Sequence, residues 1–178
     1  PIQWRYRAVV QRRSPPPAPR DEGNGLDLAL LQLTADLDGG PLNLGVLVAL
    51  PLGDSENLQA GESLVMLGYG QPDSTRTQTA TTTRGVLSAV YEDESRHRTG
   101  SWLRTDSLVL AGQSGGPALN RDGSVVGWSV RSAVDRVLPR REGDPSPGWA
   151  PSGLNELRPI NSMLDEVAAL LGALEPPR

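Results

Sequence analysis

The chain has 178 residues, 17 basic and 21 acidic side chains and one histidine, for a formal net charge of −4 at pH 7. That balance argues against nucleic acid or an anionic membrane as a partner, and no apolar run reaches the length needed to cross a bilayer. Every basic residue is arginine and cysteine is absent, which excludes a lysine-dependent phosphate loop, disulfides and thiolate metal sites.

Sixteen prolines and twenty glycines punctuate short β-like runs, the pattern of an all-β barrel or sandwich rather than of a helical or βαβ protein. Residues 4–10 predict a strand, and the proline-rich run 12–25 a loop. Residues 26–33 and 46–50 read as buried strands, and residues 62–68 as a third. DLDGG at 36–40 reads as a turn. The threonine-rich segment 75–90 alternates polar and apolar residues, as an exposed strand does. Residues 102–106 and 124–131 predict further strands, with an Asp-Gly hairpin turn at 120–123. The proline- and charge-rich run 136–153 reads as an insertion. Near the end the period becomes helical, with Leu164, Val167, Ala168, Leu171 and Leu174 on one face and Ser162 with Asp165 as a start box. Trp4, Trp102, Trp128 and Trp149 read as core residues.

The segment with chemical content is Gly112-Gln113-Ser114-Gly115-Gly116-Pro117. A serine that attacks a carbonyl needs an exposed hydroxyl, little bulk beside it and backbone N–H groups converging on the developing oxyanion; flanking glycines permit the backbone this requires. The competing reading is a plain glycine-rich turn. At this composition G-x-S-G-G-P arises by chance in roughly two chains per thousand.

This segment resembles the nucleophile loop of the chymotrypsin/trypsin-like serine proteases. Leu26-Asp27-Leu28-Ala29-Leu30-Leu31 is similar to the strand carrying the family's triad aspartate. Residues 61–70 (GESLVMLGYG) resemble the strand that closes the first barrel and leads to the second. Thr105-Asp106, shortly before Ser114, matches the bacterial HtrA-like branch, and residues 153–161 resemble the fold's last strand. The resemblance implies a trypsin-like double β-barrel: an incomplete first barrel in residues 1–70, a complete second barrel in 71–178, and a C-terminal helix. It implies Ser114 as nucleophile, Asp27 as the carboxylate orienting the base, and the N–H groups of Gly112 and Ser114 as the oxyanion hole. Gln113 replaces the aspartate that trypsin-type zymogens pair with a freed N-terminus, so activation by that ion pair is not expected. Leu108 would lie at the base of the primary specificity pocket and select a small or medium apolar side chain. Val130, Arg131 and Ser132 would form the edge that accepts the substrate backbone.

The family's histidine base precedes the aspartate, yet residues 1–26 contain none; His97 is out of order and reads as a surface residue. With Pro1 as first residue and few strands ahead of Asp27, the expectation is an N-terminally truncated serine endopeptidase whose base lies upstream, inactive as a fragment. The alternative is a catalytically dead protease-fold module that binds extended peptides. No cofactor or metal is expected; the partner is a polypeptide, further domains are expected beyond the ends, and a soluble, bacterial, extracytoplasmic setting is favoured.

Overall fold

The computed structural model describes residues 6–13, 28–43, 45, 47–70, 80–92, 101–137 and 148–172. The strands of the larger sheet take their places because each offers an apolar interior face. They are β3 (Ser63–Gly68), β4 (Thr81–Glu92), β5 (Ser101–Thr105), β6 (Pro117–Leu119), β7 (Val125–Val137) and β8 (Gly148–Pro159), closed into a barrel in the order β3-β4-β5-β8-β7-β6. Every strand sends at least one residue to the core: Leu64 and Met66, Leu87, Leu103, Ala118, Val126 and Leu157. Burial of each large side chain contributes about 1.5–3 kcal/mol. The threonine-rich stretch becomes β4, with the expected alternation of burial. Asn120 caps the β6–β7 turn by accepting from the N–H groups of Asp122 and Ser124, and Gly123 supplies the positive φ that the turn needs.

Strands β1 (Tyr6–Arg13) and β2 (Ala29–Asp36) form a separate two-stranded sheet. This is the expected incomplete first barrel. Residues 36–40 make the expected turn, closed by the Gly40 N–H on Asp36 Oδ1 at 2.6 Å.

Several expectations are corrected. The strand at 26–33 is not buried: Leu31 is 56% exposed, because the described residues provide no second layer over the two-stranded sheet. Residues 47–50 form no strand, and Val48 is 91% exposed. Strand β3 does not end the first barrel. It pairs with β4 and β6 and belongs to the closed barrel. Of the insertion expected at 136–153, residues 136–137 belong to β7 and residues 148–153 to β8, with pairing out to Val137↔Gly148, and residues 138–147 lie outside the described residues.

Helix α1 (Asn161–Gly172) starts differently from its expected box. Ser162 Oγ donates back to the Pro159 carbonyl, and the Asn161 N–H is satisfied by Ser55 Oγ at 3.1 Å. Asn161 Oδ1 accepts from the N–H and hydroxyl of Ser55, and its amide donates to Asp54 Oδ1 at 2.9 Å. Polar ties thus dock the helix where an apolar face was expected, and Leu164, Ala168 and Leu171 stay exposed. Leu174 and Trp4 lie outside the described residues. Trp102 and Trp128 are buried as expected.

The Glu56 backbone N–H, then the Asn161 amide, hold the Asp54 carboxyl below the usual carboxylate range. A depressed carboxyl stabilises the fold above its unfolded pKa of about 3.9 and loses that contribution as pH falls through the folded value. Asp54→Asn should therefore lower stability at pH 7, with the gap to wild type narrowing as pH falls below the unfolded value, as urea denaturation across that range would show. A gap independent of pH would contradict this.

Candidate active site

The loop from Asp106 to Gly116 carries Ser114, and polar groups hold it at both ends. At the start, buried Thr105 donates to the Val86 carbonyl and accepts from the Ser107 N–H, while Asp106 Oδ1 accepts from Val86 N–H. Asn155 on β8 donates its amide to the Ser107 carbonyl at 2.6 Å.

At the other end the buried Gln113 side chain turns back on its own loop. Its Oε1 accepts from Leu110 N–H at 2.6 Å and its Nε2 donates to Thr81 Oγ1 at 2.7 Å. Thr81 in turn donates to the Gly68 carbonyl at 3.1 Å. Gly115 N–H donates to the Ser129 carbonyl at 2.7 Å, and Ser129 N–H to the Gly116 carbonyl at 2.9 Å, which ties the loop to β7. Gly112 and Gly115 adopt φ of 93° and 82°, and a methyl at Gly116 would overlap the Leu67 carbonyl oxygen. The glycines of the motif are therefore required by backbone geometry.

Ser114 is exposed, and its hydroxyl donates to the Val130 carbonyl at 3.2 Å. Among the described residues the N–H groups of Gly112 and Ser114 have no hydrogen-bond partner. The loop thus presents a hydroxyl and two uncommitted donors at one turn.

Val130 sits at a register irregularity in β7, between the pairs Ser129↔Leu157 and Arg131↔Glu156. Strand β6 pairs with β7 only as far as Trp128. Beyond it, the edge carrying Val130, Arg131 and Ser132 has no described strand on that side, a geometry suited to adding an extended peptide.

Other expected residues fall differently. Leu108 is 59% exposed and its carbonyl accepts from Thr83 Oγ1. Asp27 and His97 lie outside the described residues, as does the side chain of Arg131. Sequence reasoning missed the structural part played by Gln113, Thr81 and Asn155. Gln113 carried a signal, its place beside the serine, but nothing in the sequence paired it with Thr81. Among the described residues no three His, Cys, Asp or Glu side chains are grouped to hold a metal, and no helix is long and apolar enough to cross a membrane.

A closed six-stranded barrel presenting a G-x-S-G-G-P loop in this way defines a class. The profile of the trypsin-like peptidase domain matches residues 2–127, and the chain belongs to that family. Within it the relatives are HtrA-type serine proteases. Serine protease HTR4 of Rattus norvegicus is 35% identical over 126 residues, covering 67% of this chain and 23% of the relative. Serine protease HTRA4 of Mus musculus is 34% identical over 142 residues, covering 76% and 25%. The chain thus spans about a quarter of the length of these relatives. Among solved structures, the HtrA-type protease AlgWS227A with decapeptide has a TM-score of 0.62 at 18% identity, covering 93% of this chain and 40% of that one.

Replacing Gln113 with leucine would remove its hydrogen bonds with the part-buried Leu110 N–H and with Thr81, a combined loss of about 1–3 kcal/mol. Gln113→Leu should therefore lower stability by that amount in chemical denaturation. Gly116→Ala should cost more, since the obstacle is backbone. Equal, negligible effects of both would show that the loop is not held as described.

Proposed function

We propose that this chain is the catalytic part of a serine endopeptidase in which Ser114 is the nucleophile. The observation that carries the reading is the loop itself: an exposed hydroxyl beside two uncommitted N–H groups, on glycines whose backbone admits little else. In the reaction Ser114 Oγ attacks the scissile carbonyl, and its proton passes to a base. The Gly112 and Ser114 N–H groups stabilise the oxyanion of the tetrahedral intermediate, which collapses by breaking the C–N bond. The amine leaves with the proton held by the base, and water then hydrolyses the remaining acyl-enzyme. The substrate backbone lies along Val130, Arg131 and Ser132, in keeping with the peptides named in the AlgW structures.

Asp27 is assigned as the carboxylate that orients the base, on its D-L-A-L-L setting. The base itself is a histidine that these 178 residues do not supply at the family's position, since His97 is the chain's one histidine. A serine hydroxyl without a base is a weak nucleophile. Loss of one triad member in a related enzyme lowers kcat by about 10⁴-fold or more.

A fluorophosphonate that labels only activated serines separates the cases. The full-length protein should label at Ser114, Ser114→Ala should abolish labelling, and Asp27→Asn should slow it by about 10⁴-fold. Residues 1–178 alone should not label. Rapid labelling of residues 1–178 would mean that another group, such as His97, serves as base. Labelling of neither would favour a peptide-binding module without catalysis.

A further inference from the structure

The Ser114 hydroxyl already has an acceptor, and that acceptor lies on the strand edge offered to a peptide. Three hydrogen bonds in succession join the serine loop to β7: Ser129 N–H to the Gly116 carbonyl at 2.9 Å, Gly115 N–H to the Ser129 carbonyl at 2.7 Å, and Ser114 Oγ to the Val130 carbonyl at 3.2 Å. The first two are main-chain rungs that carry the β6–β7 ladder past its last register pair, Pro117↔Trp128. The third stands one step further along β7. There a side chain supplies the donor where an added strand would supply a main-chain N–H.

Val130 is available for this because of the irregularity in β7. The register passes from Ser129↔Leu157 directly to Arg131↔Glu156, so Val130 has no partner on β8. A residue left over at such a bulge is unpaired in the ladder, and the Ser114 hydroxyl takes up its carbonyl.

Two properties of this bond set the resting serine against the reacting one. A hydroxyl has one proton to donate, so while it points at Val130 it does not point at a base, and transfer to a base is what attack requires. The bond is also long, 3.2 Å against an ordinary O–H···O spacing of about 2.7–2.8 Å. A main-chain N–H arriving at normal length is the better partner for the carbonyl.

We infer that the Ser114–Val130 bond is an autoinhibitory resting contact. It keeps the nucleophile's proton on a backbone carbonyl until a main-chain N–H of an extended substrate takes that carbonyl and frees the hydroxyl to turn to the base. No covalent bond changes in the exchange: one donor replaces another on Val130, and the serine keeps its proton until the base removes it. Because the carbonyl accepts from the attacking group itself, the N–H concerned is the nearest one on the acyl side, that of the residue contributing the scissile carbonyl. The site is thereby matched to polypeptides and works less well on small acyl compounds that carry no such amide. The inference rests on Ser114 as nucleophile.

The first test weakens the acceptor without touching a side chain. Arg131 of the full-length protein is replaced by its α-hydroxy analogue, which turns the Val130–Arg131 amide into an ester with a poorer acceptor carbonyl. A fluorophosphonate with no main-chain amide should then label Ser114 about three- to tenfold faster, while hydrolysis of a peptide substrate slows. Opposite changes are the signature, since a loosened fold would lower both rates. Unchanged or slower labelling, in an ester protein whose urea midpoint matches wild type, overturns the inference. The second test needs no variant. Wild-type full-length protein is given two peptides with the same scissile amide, one carrying an ester oxygen in place of the N–H of the residue that contributes the scissile carbonyl. Amine release from that peptide should show kcat lowered about three- to tenfold. A loss confined to KM overturns the inference and leaves Ser114 as nucleophile. If fluorophosphonate labels no serine in the wild type, both readings fall together.

Discussion

The geometry around Ser114 depends on one buried amide. Gln113 accepts from its own loop through Leu110 and donates to Thr81, which passes the polarity on to the Gly68 carbonyl. The chain of donors runs in one direction through low-dielectric surroundings, where each bond strengthens the next. It links the loop to the facing ends of β3 and β4, and the absence of side chains at Gly68 and Gly70 gives the glutamine and Leu110 room to approach. A neutral amide needs no partner charge, so the loop's shape does not hinge on the pH of an acid group or on a newly freed amine.

The opposite side of the barrel wall is fixed by cations and rings. Arg104 lies over the Tyr91 ring at 4.6 Å, and Arg158 over Trp102 at 3.9 Å. Glu156, almost fully buried, accepts from Tyr91 and Arg104. Burial, followed by the hydrogen bond to Glu156, raises the Tyr91 phenol above its ordinary value. The hydroxyl therefore stays protonated and keeps donating across the neutral and mildly alkaline range. Strand β8 is thus clamped from outside while its inner face carries Asn155.

The second half of the chain was largely legible from its sequence. The serine loop, the Asp-Gly hairpin and the alternation in β4 are local signals, each set by a few adjacent residues. What escaped was set by distant partners. The strand at 63–68 reads alike as the end of one barrel or the start of another, and only its pairing with β6 decides. The leucines of β2 and the apolar stripe of α1 predict burial, but burial requires a covering layer that no periodicity announces. Likewise the helix cap comes from Ser55, 106 residues away from Asn161. Gln113 looked informative for what it replaced, whereas its importance lies in what it touches.

The barrel closes where β3 meets β6, across only two register pairs, Val65↔Leu119 and Met66↔Ala118. Strand β6 follows directly from Gly116, the residue set against the Leu67 carbonyl. The seam joins residues far apart in sequence, such as Val65 and Leu119, so it carries a loop-closure cost, and its closure also shapes the turn that carries Ser114. With the seam open, Gly116 has no Leu67 carbonyl to close against. The turn that carries Ser114 therefore takes its shape only when the barrel is closed, so local order at this serine reports completion of the fold.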